Sequence, residues 1–406
     1  MRSRASWTTR RTSLGTAGAV ALAVVAGALL APGSAAGEER SGGSRTARPG
    51  GPDAAVQQCG GGSYQAEVWR DGGTWTAVNG DRTVYTGGNF RAAAQSAVDS
   101  LTPGRTQQES VVVWHAGSIG GGESIDLPSH TRFEACGAID VSGTPTAGNA
   151  AVRVRGASDV SVPYLSVTGA PYFGVFVRNA ADVSFGQLDV RLRSGLGVRI
   201  DNHDNRAVPT RNVSIDRVHV EGTSNHGVET YGVDGFTVGT VTARDVGYSG
   251  LLLNDTVNAQ VGKVDAVNAG TGTGYAAFRM ANRNGRVSNG YETNIRVGEV
   301  VARGGGRGIF CVSESGGAVI DRVDISGTGS NAILLENCYN VTIAGERGSV
   351  AGPGDIRIAA RSEFPNSRDI TLRNMTVTNS AVNESPCAVN TRVENLELVN
   401  SPQNLC

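Results

Sequence analysis

Between Arg199 and Arg283 the chain carries a set of side chains suited to acid–base work on a sugar: Arg199, Asp201, His226, Glu229, Tyr231, Asn254, Asp255, Arg279 and Arg283. Two kinds of chemistry follow from these residue types. A pair of carboxylates such as Asp201 and Glu229, held about 6.5 to 9.5 Å apart, leaves room for the water that an inverting glycosidase activates. A phenol and an imidazole beside arginines suit a different step, removal of a proton next to a carboxylate while cations neutralise that carboxylate. Both depend on which of these residues the fold brings together.

The positioning elements are legible as a repeat. From Ala151 onward the sequence falls into coils of about 23 residues, a period of the solenoid kind, each beginning on a small residue followed by alternating apolar positions. Coils start near Ala151, Gly174, Gly197, Gly227, Gly250, Tyr275, Gly308, Ala332 and Asp355. Alternation over four to six residues, rich in Val and Ile, marks strands with one buried face. Pairs such as Val175/Val177, Val198/Ile200, Leu251/Leu253 and Ile309/Cys311 supply that face. Asn179, Asn202, Asn337, Gly232, Asp159, Asp182, Asn212, Asn340 and Asp369 interrupt the runs, and residues of these types tolerate the left-handed backbone of a sharp corner. One coil cannot bury its own apolar face, so the coils must stack. The period argues against a propeller, whose blades take roughly 40 to 50 residues. The expected fold is all-β, a single-stranded right-handed parallel β-helix, with Val175, Val198, Val228, Leu251, Ile309 and Ile333 in one internal ladder.

Stacking also orders the outward positions. The third residue of each coil forms one ladder (Arg153, Phe176, Arg199, Glu229, Leu252, Ala277, Phe310) and the fifth another (Arg155, Arg178, Asp201, Tyr231, Asn254, Arg279, Val312). With strands about 4.8 Å apart, Arg199 lies beside Glu229 and Asp201 beside Tyr231. The plainer reading of Arg199 and Glu229 is a surface ion pair worth under about 1 kcal/mol. The chemical reading makes Tyr231, His226, Glu229 and Asp201 candidate catalytic residues. Arg199, Asn254, Arg279, Arg283 and Phe176 are candidate substrate-binding residues.

Before the repeat, Phe90, Ala94, Ala97, Val98 and Leu101 fall at helical spacing, followed by a strand-like run Ser110–Trp114 and by Ile125–Thr131. A helix here would cover the open edge of the first coil. Cap and repeat together resemble the pectate-lyase-like superfamily, in which a capping helix precedes the first strands. Ser224-Asn225-His226-Gly227-Val228-Glu229 resembles the Gly-His-Gly element of polygalacturonase-type hydrolases, although Gly195-Leu196 stand where those enzymes carry paired aspartates. Pectate lyases use an arginine or lysine base with calcium on stacked aspartates. By that resemblance Asp201-Asn202-His203-Asp204 is a candidate calcium site, and no other cofactor is expected.

Residues 1–36 read as a signal peptide, with Arg2, Arg4, Arg10 and Arg11 ahead of an apolar run from Ala17 to Leu30 and small residues at Ser34 and Ala36. Arg10-Arg11 resembles a twin-arginine signal, and the general secretory route remains an equal reading. Residues 37–55, rich in Gly, Ser, Pro and Arg, read as a disordered linker, and 56–406 as the β-helix domain. The apolar run is shorter than the roughly 20 residues of a membrane helix, so the mature protein is expected to be secreted with no membrane partner. Net charge is −1 and Lys263 is the only lysine, so no basic block exists to neutralise a run of phosphates, and nucleic acid is not an expected partner. Six cysteines in an exported chain suggest disulfides, and position favours Cys59–Cys136, Cys311–Cys338 and Cys387–Cys406.

Three functions fit. The first is a secreted polysaccharide lyase acting by β-elimination at a uronic acid, with Tyr231 as base or acid, His226 assisting, and Arg279, Arg199 and Asn254 holding the carboxylate. The second is a glycoside hydrolase using Asp201 and Glu229. The third is a β-helix that binds polysaccharide without turning it over.

Overall fold

The computed structural model describes residues 59–272 and 274–406. The expected signal peptide and linker, residues 1–36 and 37–55, lie outside the described residues. The rest is a right-handed parallel β-solenoid of about 13 turns whose strands form three stacks. The first sheet begins with Ala66–Asp71, Glu109–Val113 and Thr131–Ala135 and continues through the leading halves of long strands such as Ser158–Gly169 and Ala181–Leu192. The second begins with Gly117–Gly120 and Ile139–Ser142 and runs through the trailing halves. The third stacks Ala150–Arg155, Phe173–Arg178, Leu196–Asp201, Val228–Tyr231, Leu251–Asn254 and Phe278–Ala281 in parallel register.

The corners form where the residue types demand. Asp159, Asn179, Asp182, Asn212, Asn337, Asn340 and Asp369 adopt φ between 47° and 56°, and Gly232 has φ 64°. Asn202 does not join them. At the bend between the first and second sheets a Cβ on Gly186 would sit 2.4 Å from the Pro163 carbonyl oxygen, so only glycine lets the coils close up there.

The internal ladder runs Val175, Val198, Val228, Leu251, Phe278, Ile309 and Ile333, each pairing with the next and each fully buried. Each such side chain contributes about 1.5–3 kcal/mol on leaving water. The sixth coil departs from the expected register. Phe278, not Ala276, takes the core position, so Arg279 pairs with Leu252 and Phe310 in the third-position ladder and Ala281 follows Asn254 in the fifth. Ala276-Ala277 imitate a coil start, but the bulk of Phe278 decides which residue turns inward.

The helix Phe90–Asp99 forms, with Asn89 accepting from the Ala92 N–H at 2.8 Å. The expected capping of the first coil by this helix is not supported, because a strand lies on that edge instead. Ala66–Asp71, Thr74–Asn79 and Arg82–Gly87 make an antiparallel ribbon whose first strand also pairs in parallel with Glu109–Val113. The helix lies against this ribbon through Phe90 and Trp75, ring centres 4.8 Å apart. Gln95 binds the backbone of Asp126 through both amide atoms. All three expected disulfides are present: Cys59–Cys136, Cys311–Cys338 and Cys387–Cys406. No helix among the described residues is long and apolar enough to cross a membrane.

Candidate functional site

The outward face of the third sheet is the floor of a groove. In its first coils the floor is ionic. Asp201 has no exposed surface, and both its oxygens are engaged: Arg178 reaches them through Nε at 2.6 Å and Nη2 at 2.8 Å, and Arg199 Nε joins at 2.8 Å. The His203 N–H adds a fourth donor at 3.2 Å. Burial alone would raise the Asp201 carboxyl, but the Arg178 and Arg199 hydrogen bonds outweigh it and hold it below the usual carboxylate range. Arg199 then turns its Nη1 to Glu229 at 2.5 Å, while Asn254 donates to the other Glu229 oxygen at 3.0 Å. The Arg199–Glu229 neighbourhood expected from the repeat is therefore real, but the pair is buried rather than a surface contact. Glu229 is 8% exposed.

A cavity of about 800 Å³ opens over this floor, lined by Arg155, Arg178, Arg199, His203 and Glu229 and walled by Tyr172 and by Phe173 at the start of its strand. Arg155 and Arg178 both grip Asp204. The expected calcium site is thus corrected: guanidinium groups occupy the carboxylates of Asp201 and Asp204, and a cation would face a wall of positive charge. No cluster of three or more metal-ligating acid, His or Cys side chains occurs among the described residues.

Phe176 is also corrected as a substrate contact. It is fully covered, lying under the Arg178 guanidinium at 4.7 Å and beside the Phe173 ring at 4.8 Å. It supports the arginine instead of meeting a ligand. Tyr231 follows Asp201 in the ladder and remains partly exposed, with His203 edge-on at 4.6 Å and the guanidinium groups of Arg206 and Arg199 at 5.5 and 5.9 Å from its ring. It also lines a smaller cavity of about 340 Å³ with Asp255, Arg283 and Glu314. Arg283 stands at that rim, largely exposed and paired with Glu314 at 3.3 Å, away from the Arg199 cavity.

His226 sits at the opposite edge of the sheet, 7% exposed. Its Nδ1 accepts from the Ser249 N–H at 3.0 Å, so the ring proton belongs on Nε2. Burial, with Arg279 and Arg199 nearby, pushes its pKa down to about 3. Tyr248 and Tyr275 stack on each other at 3.9 Å, and both present themselves edge-on to His226.

Further along, the same floor becomes apolar. Leu252, Phe310, Val312 and Leu334 form a covered cluster outside the solenoid core. Over it lie Arg279, 5.7 Å from the Tyr275 ring centre and 5.2 Å from that of Phe310, and Arg307, 4.9 Å above Phe310. The Nε of Arg279 is buried without a hydrogen-bond partner. Burial depresses both guanidinium groups, whereas Asp201 raises Arg178, and Glu229 with Asp201 raises Arg199 against the cost of burial.

The structure therefore gathers Arg199, Asp201, Glu229, Tyr231 and Asn254 in one network, adds His226 and Arg279 at its edge, and leaves Arg283 and Phe176 outside it. The site also includes Arg155, Arg178, His203, Tyr248, Tyr275 and Arg307. Arg155 and Arg178 hold the same ladder position as Asp201 in the two preceding coils, a signal readable from the repeat. Tyr248 and His203 lie in turns, where no register places them, and Tyr275 precedes its strand by three residues instead of opening the coil.

Three stacks of parallel strands wound into one solenoid are the architecture expected from the repeat. No protein-family model matches the chain, and no curated protein matches it in sequence. Among solved structures it is similar to the A-module of mannuronan C-5 epimerase AlgE6 from Azotobacter vinelandii, at 14% identity and a TM-score of 0.49, over 78% of this chain and 92% of that one. The A-module of AlgE4 from the same organism gives 14% identity and a TM-score of 0.47, over 78% and 93%. At this identity and score the likeness says nothing about the residues of the groove.

Proposed function

We propose that the chain is an exported enzyme of acidic polysaccharides that acts by β-elimination at a uronic acid in the groove of the third sheet. The observation that carries this reading is Arg199 clamped between Asp201 and Glu229. Those carboxylates are consumed in holding guanidinium groups, so neither is free to protonate a leaving group or to activate a water. What remains facing the groove is arginine, the His203 imidazole and, at the neighbouring smaller cavity, the Tyr231 phenol.

Elimination uses such groups. Guanidinium groups neutralise the substrate carboxylate, which acidifies the neighbouring C5–H; a base takes that proton; its electron pair becomes the C4–C5 double bond; and the C4–O bond breaks with a proton delivered to the leaving oxygen. Tyr231 makes the proton transfers, a role supported by the guanidinium groups of Arg199 and Arg206 beside its ring. His226, at the opposite edge of the sheet from Tyr231, offers a neutral Nε2–H donor to the polymer away from the reacting carbon. Asp201, Glu229 and Asn254 position the arginines. Export is supported by the leader-like first residues and by three disulfides, bonds that persist in oxidising compartments.

The test is to incubate the mature protein with a panel of neutral and acidic polysaccharides, following the absorbance of unsaturated uronates together with new reducing ends. Unsaturated product supports the reading. Reducing ends without unsaturation would replace it with hydrolysis, and binding without either would leave a carbohydrate-binding β-helix.

A further inference from the structure

The apolar stretch of the groove poses a separate question. Arg279 stands three rungs from Arg199 on the same ladder, through Glu229 and Leu252, a distance of about 14 Å at the usual strand spacing. It makes no ion pair or hydrogen bond with a described residue, and its Nε is buried. Its neighbours on the ladder are Leu252 and Phe310, both covered. The next coil places a second guanidinium, Arg307, over the same Phe310 ring. Arg307 is held from the far side, its Nε donating to Asn331 Oδ1 at 2.9 Å. Two like charges thus meet over one ring on a dry floor.

A purely structural role explains this poorly. Aromatic faces attract a guanidinium but offer no acceptors for its N–H groups. A cation taken out of water is retained against its desolvation cost only where an anion or a set of acceptors meets it. In the first coils this chain supplies such acceptors for every buried arginine. Here it supplies one partly exposed aromatic wall, Tyr275, above the covered ring of Phe310, and leaves the guanidinium edge vacant. Flat carbohydrate faces pack on aromatic side chains, and a fork of N–H donors matches a carboxylate.

We infer that Arg279, with Arg307, Tyr275 and Phe310, forms a second carboxylate-binding subsite that takes a uronate unit of the same polymer several sugars away from the Arg199 cavity. The inference rests on the acidic-polysaccharide reading and deepens it. The groove recognises charge at two separated places, so it selects long acidic chains over short ones.

The experiment compares wild type with Arg279→Met, which keeps the bulk and removes the charge, and with Arg279→Lys, which keeps the charge and removes the fork. Binding of a size series of oligogalacturonates and oligomannuronates, each beside its carboxyl-reduced counterpart, is measured by calorimetry, and thermal unfolding is recorded for each variant. The expected result is that Arg279→Met loses about tenfold in affinity for the long acidic oligomers, the size of one charge-assisted contact. The shortest oligomers and all carboxyl-reduced ones are unaffected. The melting temperature of Arg279→Met stays equal or rises, because a partly buried guanidinium with no hydrogen-bond partner among the described residues has gone. Arg279→Lys falls between. A lower melting temperature in Arg279→Met with unchanged affinity at every length would overturn the subsite and make Arg279 a packing residue. The two readings fail separately. Unsaturated product with a length-independent Arg279→Met removes the subsite and keeps elimination; a length-dependent loss with no unsaturated product keeps the subsite and removes elimination.

Discussion

Two stretches of one sheet face treat arginine in opposite ways. In the early coils Arg178 and Arg199 are locked to Asp201, Asp204 and Glu229, and their charge is reinforced. A few rungs on, Arg279 and Arg307 lie on Tyr275 and Phe310 over an apolar floor, and burial weakens their hold on the proton. The backbone is the same in both, parallel rungs with one residue in two facing outward. The difference is therefore made by side chains alone. Where carboxylates are supplied, the arginines form a rigid preorganised floor; where they are withheld, the cation is left for something that is not part of the chain.

The sharpest way to break this contrast is to remove a carboxylate from the first stretch and a guanidinium from the second. Asp201→Asn leaves Arg178 and Arg199 facing a neutral amide in a site with no exposed surface. It should cost about 3–5 kcal/mol, the usual penalty for breaking a buried pair from one side, read as a fall in the urea midpoint. The sign with pH follows. The folded Asp201 carboxyl lies below its unfolded value near 3.9, so its contribution is complete above that pH and is lost as pH falls toward the folded value. The substitution should therefore flatten the acid limb of the stability curve. Arg279→Met should do neither. If both substitutions destabilise to the same extent, the contrast between the stretches is wrong.

Tyr231 lies where the ionic floor ends, and its hydroxyl makes no hydrogen bond with a described residue. Tyr231→Phe should cost about 10² in turnover, the scale of a lost acid or base, with the melting temperature nearly unchanged. Glu229→Gln behaves otherwise, because Glu229 is held by Arg199 and Asn254. It should lower stability by about 1–3 kcal/mol as the buried network loses a charged acceptor, and any loss of turnover should track displacement of Arg199. Full turnover in Tyr231→Phe would move the proton transfers elsewhere in the groove.

Much of this was legible in the sequence because a solenoid converts period into position. The core ladder from Val175 to Ile333 and the neighbours Arg199–Glu229 and Asp201–Tyr231 follow from spacing alone. The misplacement of Arg279 by two residues has a definite cause: Tyr275-Ala276-Ala277 satisfies the small-residue pattern of a coil start before Phe278 settles the register. Partner choice was harder. Asp201 and Glu229 read as a catalytic pair because spacing gives separation, whereas the length of Arg199, which lets one guanidinium reach both, is visible only in three dimensions. The amino-terminal ribbon is opaque for another reason. Its strands alternate, as in Ala66/Val68 and Trp75/Ala77, but they are joined antiparallel by short turns outside the coil period, and only the first pairs with a coil strand.

His226 offers the smallest test, set at the border between the two stretches. Ser249, Tyr248, Tyr275, Arg199 and Arg279 surround it, with no carboxylate among the partners its shift reflects, and its pKa falls to about 3. Unfolded, the same ring titrates near 6.5. Between those values the unfolded chain holds a proton that the folded chain refuses. Stability from this residue is thus complete above about pH 6.5 and drains away as pH falls toward the folded value, about 2 kcal/mol of it gone by about pH 5. His226→Gln keeps a side-chain acceptor for the Ser249 N–H but cannot titrate, so it should remove that portion of the slope while leaving stability near neutral pH within about 1 kcal/mol. A neutral ring also predicts that kcat carries no limb from His226 between about pH 5 and 8. The urea midpoint of wild type should therefore fall relative to that of His226→Gln as pH drops below about 6. If they run parallel across that range, the ring is already protonated in the folded protein, and the cationic surroundings assigned to this end of the groove are wrong.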